Sequence, residues 1–346
     1  MPLDRFRDRH TVAGAKDDRR DAFVLADSLR TDLVLFRPLQ QESAAILRLR
    51  ELSRLEGDRM QDQNRLIHQL REQWHRYFPQ LLELSSAADD AFVWDLFEMA
   101  PKPELAAQLG RSRIERVLQR HRIRRLTAEE VIAALRATAL PLAAGSADAA
   151  SEHALLLLPR LRLVRQQRSE VVARMLALLD ELTGTRSETS EQGPDQPTDV
   201  AVIRSLPGVG RVITATLLAE ASQAIADRDG SCLRSYAGVA PVTRQSGNKK
   251  LVVMRRGCNH RLRNALYHRS PVSTMCDERS RTYDTKLRGK GQSHGTALRV
   301  IADRWLATLM AMLRTRTLFD AQRWNRCVVE LGSGEGRQSQ LDITSF

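Results

Sequence analysis

VIRSLPGVGRVITATLLAE, residues 202–220, is the stretch around which this chain organises itself. An apolar segment runs into Pro207-Gly208-Val209-Gly210 and out into a second apolar segment from Arg211 to Glu220. Proline and glycine punctuate helices, so the pattern predicts helix, tight turn, helix: a helix-hairpin-helix. Gly208 and Gly210 would allow close backbone approach. Amide N–H groups at the start of the second helix would then be positioned to hold a phosphate, assisted by the helix dipole. A plain turn between two helices is the other reading of the same residues.

The charge downstream favours the phosphate reading. From Arg244 to Arg316 the chain carries 17 lysines and arginines against four acids, Asp277, Glu278, Asp284 and Asp303. The formal net charge of the whole chain is +12, so everything outside this segment is near neutral. Such concentration is the footprint of a surface that displaces counterions from a nucleic-acid backbone. A merely solvated basic face is the alternative. Within the segment, Ser235 to Lys250 reads SYAGVAPVTRQSGNKK, where Ser246 precedes Gly247 and lies among Arg244, Lys249 and Lys250. A small hydroxyl on a turn among cations can meet a phosphodiester, and the cations would stabilise a pentacovalent phosphorane if a base or metal removed the serine proton. On composition alone this is an ordinary Ser-Gly turn. Arg255, Arg256, Arg261 and Arg263 complete the candidate nucleic-acid contacts.

Upstream, the pattern is helical throughout. Ala45, Leu49, Leu52, Leu66, Leu70, Trp74 and Phe78 form one stripe of a helix from about Glu42 to Phe78, stopped by Pro79. Leu157, Leu161, Val164, Val171, Met175, Leu178 and Leu182 form the stripe of another from about Ala154 to Leu182. The two are expected to pair as an antiparallel coiled-coil arm, with shorter helices between them in residues 80–150. Their stripes read as core or seam rather than a cofactor box. Nearer the start, Ala22, Leu25, Ala26 and Leu29 recur at helical spacing between Asp21 and Leu33. The polar tract at residues 185–199 reads as a linker.

Leucine, alanine and arginine dominate and aromatics are only 5% of the 346 residues, which favours a mainly α chain of several domains. No apolar run approaches the roughly 18 residues of a membrane span. The charged start, with Asp4, Arg5, Arg7, Asp8 and Arg9, does not read as a signal peptide, so a cytoplasmic protein is expected. Cys232, Cys258, Cys276 and Cys327 are widely spaced and read as reduced thiols. The pair Cys258 and His260 lacks the second pair a zinc site needs.

Five blocks in order, LPGVG, SYAGVAPVTRQSG, RRGCNHRLRNAL, YDTKLRGKG and ALRVIADRWLATLMAML, make the run from Val202 to about Leu318 resemble the C-terminal domain of the insertion-sequence-110 transposases, relatives of the Piv invertase. The resemblance implies that Ser246, the serine of the QSG block, is the DNA nucleophile. GAKDDRRDAFVLADSLRTD, residues 14–32, resembles the family's K-x-D-x-x-D-A block, the last part of a DEDD, RuvC-like domain of ribonuclease-H type. Asp18 and Asp21 match its final two acids. Three residues apart on a helix they share a face and could hold a divalent cation, Mg²⁺ by the resemblance. Without the resemblance they read as acids favoured by the helix dipole at its N-terminus. NRLIHQLREQWHRYFP, residues 64–79, fits the family's arm.

The first Asp and the Glu of the tetrad have no counterpart, so the chain reads as an N-terminally truncated copy, not expected to exchange strands by itself. The expected organisation is 1–41, the end of the DEDD domain; 42–184, a helical arm; 185–199, a linker; 200–320, the transposase domain; and 321–346, a polar tail. DNA is the expected partner. The resemblance adds a guide, or bridge, RNA; a homo-oligomer is also expected, the long helices serving dimerisation or spacing, and no membrane is implied. The function expected is a transposase or site-specific recombinase. An inactive relic that only binds nucleic acid, and a non-enzymatic helix-hairpin-helix DNA-binding protein, are the competing readings.

Overall fold

A computed structural model describes residues 6, 8–10, 17–36, 41–138, 143, 145–184, 196–247 and 249–321. The chain divides into two compact units, residues 1–43 and 44–346. The tail beyond residue 321 and most of the expected linker, residues 185–195, lie outside the described residues. The architecture is mainly helical, with one two-stranded sheet among the described residues.

In the first unit, helix α1 spans Asp18–Thr31 and begins on Asp17, whose Oδ1 accepts the Arg19 N–H at 3.2 Å. The expected apolar face is corrected here. Val24 and Ser28 are the buried positions of α1, while Leu25 and Leu29 are about half exposed. Beside it, His10 reaches Asp27 at 3.3 Å and stacks edge-on against Phe23, and Phe6 packs 5.9 Å from Phe36.

The second unit is built on two long helices, α2 (Ala44–Tyr77) and α8 (Ser146–Gly184). They run antiparallel. Leu49 shares a core with Met175, Leu178 and Leu179, whereas Leu66, Leu70 and Trp74 share another with Ala154, Leu157 and Leu161. Between these apolar ends the seam is polar: Arg168 Nε donates to the buried Glu56 at 2.9 Å and Arg168 Nη1 to Gln63 at 3.3 Å. Helix α8 starts eight residues before the expected Ala154 and carries Pro159 within it.

Five short helices fill residues 80–135: α3 (Gln80–Leu84), α4 (Ala91–Met99), α5 (Pro103–Ala106), α6 (Arg111–Arg120) and α7 (Ala128–Leu135). They close over the far end of the arm around Trp74, Phe92, Trp94 and Phe97, all buried. The Trp94 Nε1–H donates to the Ala88 carbonyl at 2.8 Å, and a Thr127–Glu130 capping box starts α7. Arg162 of α8 ties this head down by donating to Asp95 at 2.9 Å.

The near end of the arm enters the core of the remaining elements. These are α9 (Asp199–Ser205), α10 (Arg211–Glu220), α11 (Ser222–Ala226), α12 (Gly230–Tyr236), strands β1 (Val242–Ser246) and β2 (Lys249–Val253), α13 (His260–Cys276), α14 (Glu278–Gly289) and α15 (His294–Thr315). Leu49, Met175 and Leu179 from the arm pack with Ile203, Leu217, Leu262, Leu266, Ile301 and Leu309. Arm root and C-terminal helices therefore fold around a common core. No helix among the described residues is long and apolar enough to cross a membrane.

Candidate nucleic-acid interface

Helices α9 and α10 are joined by the Leu206–Gly210 turn, whose first bonds are Leu206 N–H to the Ile203 carbonyl at 3.3 Å and Val209 N–H to the Leu206 carbonyl at 3.1 Å. Gly208 has φ +74°, the left-handed region, and a Cβ there would lie 3.3 Å from the Ser273 nitrogen and the Val272 side chain of α13. Only glycine meets both demands without strain. Gly210 differs from its neighbour. It caps α10 with extended backbone at φ −78°, and a Cβ on it would meet nothing within 4 Å. The constraint that the sequence assigns to both glycines falls on Gly208. The opening turn of α10 has no side-chain cap, so its amides are donors for an outside group.

Behind the turn lies a residue the sequence reading passed over. Arg269 of α13 is 2% exposed; its Nη2 donates to the Pro207 carbonyl at 3.2 Å, and its guanidinium carbon sits 4.4 Å from the Trp305 ring centroid. Burial pulls its pKa down to about 9, still charged at neutral pH. An arginine among the polar residues of this helix gave no signal of this, because surface arginines are the common case.

Ser246 ends β1 and pairs with Lys249 across a two-residue turn, with Arg244 opposite Leu251 and Gln245 opposite Lys250. Directly paired side chains share a face and alternate residues along a strand do too. Ser246, Arg244 and Lys249 therefore lie on one face of the hairpin and Lys250 on the other. Gly247, with φ +56°, supplies the left-handed turn residue. Both strands are exposed on both faces, so there was no apolar alternation to betray them; the Gly247-Asn248 pair between short runs was the available signal. Arg256 is exposed, and the half-buried Arg255 reaches back to the Ala240 carbonyl at 3.4 Å. Arg263 Nη2 meets His260 Nδ1 at 2.7 Å.

Arg261 is placed differently. Its Nη1 donates to the Arg54 carbonyl at 2.9 Å and its Nη2 to Asp58 at 2.8 Å, both on α2. It ties the arm to the C-terminal helices. Alongside it, Glu220 is buried and receives Arg54 Nε at 2.9 Å and Asn259 Nδ2 at 2.7 Å; the same amide reaches the Tyr236 hydroxyl at 2.9 Å. Burial pushes the Glu220 carboxyl up, but hydrogen bonds from Arg54 and Asn259 outweigh it and hold the pKa below the usual carboxylate range.

In the first unit, Asp18 opens α1, exposed, and the half-buried Asp21 follows one turn later. Among the described residues no group of three or more histidines, cysteines, aspartates or glutamates could hold a metal ion. Asp18 and Asp21 form a two-carboxylate face, which suffices for Mg²⁺ only if water and phosphate oxygens complete the shell.

A model of the IS116/IS110/IS902 transposase family matches residues 200–285, and a DEDD-type IS110 transposase model matches residues 1–79. The "Mini-circle putative transposase for IS117" of Streptomyces coelicolor is 32% identical over 337 residues, covering 92% of this chain and 75% of that protein. The chain belongs to the IS110-type transposase family. The "Insertion element IS110 uncharacterized 43.6 kDa protein" of the same organism is 28% identical over 89% of this chain and 73% of its own length. "Putative transposase y4uE" of Sinorhizobium fredii is 48% identical over 126 residues, 36% of this chain and 35% of its own. The first family model includes α2 of the arm and stops short of α8, and each model contains one set of proposed site residues: Asp18 and Asp21 in the first, Ser246 in the second.

Proposed function

We propose that this IS110-type transposase cuts and rejoins the DNA of an insertion sequence with Ser246 as its nucleophile. The observation that carries the reading is the placement of Ser246 at the end of β1, exposed, on the same hairpin face as Arg244 and Lys249. An alkoxide attacking a phosphodiester builds negative charge on the phosphoryl oxygens, and cations fixed beside the nucleophile lower that barrier. The Oγ–P bond forms as the bond between phosphorus and a sugar oxygen breaks, and in the net step the serine's proton ends on the departing oxygen. Reversal by another strand's hydroxyl rejoins the DNA and frees the serine.

Nucleic acid is held in this reading by the amides opening α10 and by Arg244, Lys249, Lys250, Arg255, Arg256 and Arg263. DEDD-type transposases use a divalent metal, and Asp18 and Asp21 would supply protein oxygens to it, Mg²⁺ being the ion their hard oxygens suit. An ion held there would supply charge stabilisation to a phosphate bound beside it. A guide RNA belongs to the same proposal through the family resemblance, and a homo-oligomer through the long helices α2 and α8.

The test incubates the purified chain with Mg²⁺, element-end DNA and the element's RNA, and resolves protein–DNA adducts on denaturing gels. An adduct lost in Ser246→Ala and weakened in Arg244→Ala is the outcome this reading requires, and it would overturn the expectation from the sequence that the chain does not exchange strands by itself. Adduct formation by Ser246→Ala would remove Ser246 from the chemistry, and binding with no adduct in any variant would leave a nucleic-acid-binding protein.

A further inference from the structure

One cleft of the second unit shares only Arg263 with the contacts proposed above. It opens between α13, α15 and the foot of the hairpin, with a volume of about 270 Å³. Its floor is apolar, formed by the buried Leu266 and Leu298. Its rim holds Tyr267, Met254, Arg263 and Arg299. Tyr267 is 45% exposed and Met254 41% exposed, large side chains facing solvent in the most basic part of the chain. Arg263 and Arg299 each make one local contact, to His260 and to Thr296 Oγ1, and neither is ion-paired among the described residues.

We propose that this cleft receives one unpaired nucleobase of the nucleic acid held on the basic face. The inference rests on the nucleic-acid reading above. An apolar floor with an aromatic ring and guanidinium groups at the rim matches a base, which offers a π face for stacking and is flanked by phosphates for the cations. The volume is at the lower limit of small-molecule sites, about 300 Å³, so it suits a single planar group and excludes a base pair. A base inside a duplex is stacked and paired on its neighbours and cannot enter unless extruded. Met254 follows β2 directly, so the cleft lies at the root of the hairpin that carries Ser246 at its tip. Four strand steps separate Val242 from Ser246, about 14 Å. At about 3.4 Å per stacked base step, the captured base lies a few nucleotides from the phosphate facing Ser246. The cleft would thus fix the register of the strand presented to the serine.

The test uses the full chain and duplexes labelled with 2-aminopurine, either fully paired or with the 2-aminopurine as a single bulged base, made in DNA and in RNA. Anisotropy reports overall binding and 2-aminopurine emission reports stacking. The bulged duplex should bind more tightly, with quenched emission, and the polymer that shows the larger preference identifies the source of the base. Tyr267→Ala should erase about a tenfold preference, the loss expected for one base–aromatic stack, while leaving affinity for the paired duplex unchanged. Tyr267→Phe should retain the preference. Equal binding of paired and bulged duplexes, or a preference untouched in Tyr267→Ala, overturns the cleft while the basic face stands. Binding to none of the duplexes overturns both.

Discussion

The Arg269 guanidinium stands 4.4 Å from the centre of the Trp305 ring, so α13 and α15 are joined beneath the glycine turn by a buried cation resting on an aromatic face. Truncation leaves a cavity and an uncovered Trp305. Arg269→Ala is expected to lower unfolding free energy by about 2 to 3 kcal/mol. Arg269→Met should lose less, because it refills the volume and removes the cost of burying a charge. Denaturant melts of the three proteins check the order; equal losses would mean that volume is not what Arg269 supplies.

Gly208 and Gly210 should separate cleanly. Gly208→Ala combines a left-handed backbone with a 3.3 Å contact to α13 and is expected to cost about 1 to 2 kcal/mol. Gly210→Ala, in open space with an extended backbone, should change stability by less than about 1 kcal/mol. Thermal unfolding measures both. A larger loss at Gly210 would refute the geometry given for the turn.

Acid should weaken the joint between arm and C-terminal helices. Glu220 is held below its ordinary pKa in the fold, so its contribution is complete above the usual glutamate value, about 4.3, and is lost as pH falls through the depressed folded value. Arg54 is partly exposed, and solvent screening keeps this contribution small. Glu220→Gln should flatten the acid limb of the stability profile. A profile parallel to the unsubstituted protein would show that the titration belongs to other groups.

Salt dependence distinguishes nucleic-acid contacts from internal ties. Arg244→Ala and Lys249→Ala should each weaken binding and reduce the slope of log affinity against log salt by about 1. Arg261→Ala, whose guanidinium holds Arg54 and Asp58, should lower stability and leave the slope unchanged. Binding across a salt series reads all three. A slope change at Arg261 would move it onto the interface.

The long helices were legible because their stripes are long and periodic: Leu49, Leu70, Trp74 and Phe78 are all fully buried. The glycine turn was legible from Pro207 and Gly208. The hairpin was not, since strands with both faces in water leave no alternation to read. Neither was the Glu220 cluster, which joins residues 166 positions apart. Such pairings depend on which helix ends meet, and local spacing does not carry that. On α1 the apolar spacing was read correctly as a helix, yet Val24 and Ser28 are its buried residues while Leu25 and Leu29 are about half exposed.

The antiparallel pairing of α2 and α8 makes the chain's middle a load carried at one end of a rod. Helices α3 to α7 gather at one end, so the rod's length can change without altering what it carries. Thirty-four residues of α2 at about 1.5 Å each give a reach of roughly 50 Å. Removing matched heptads from both helices would draw the head inward by about 10 Å per step while preserving its orientation. An insertion or deletion in one helix alone would shear the Arg168–Glu56 and Arg168–Gln63 bonds out of register. Evolution can therefore tune the span of this protein in discrete paired increments, with the polar seam acting as the vernier that rejects unmatched ones.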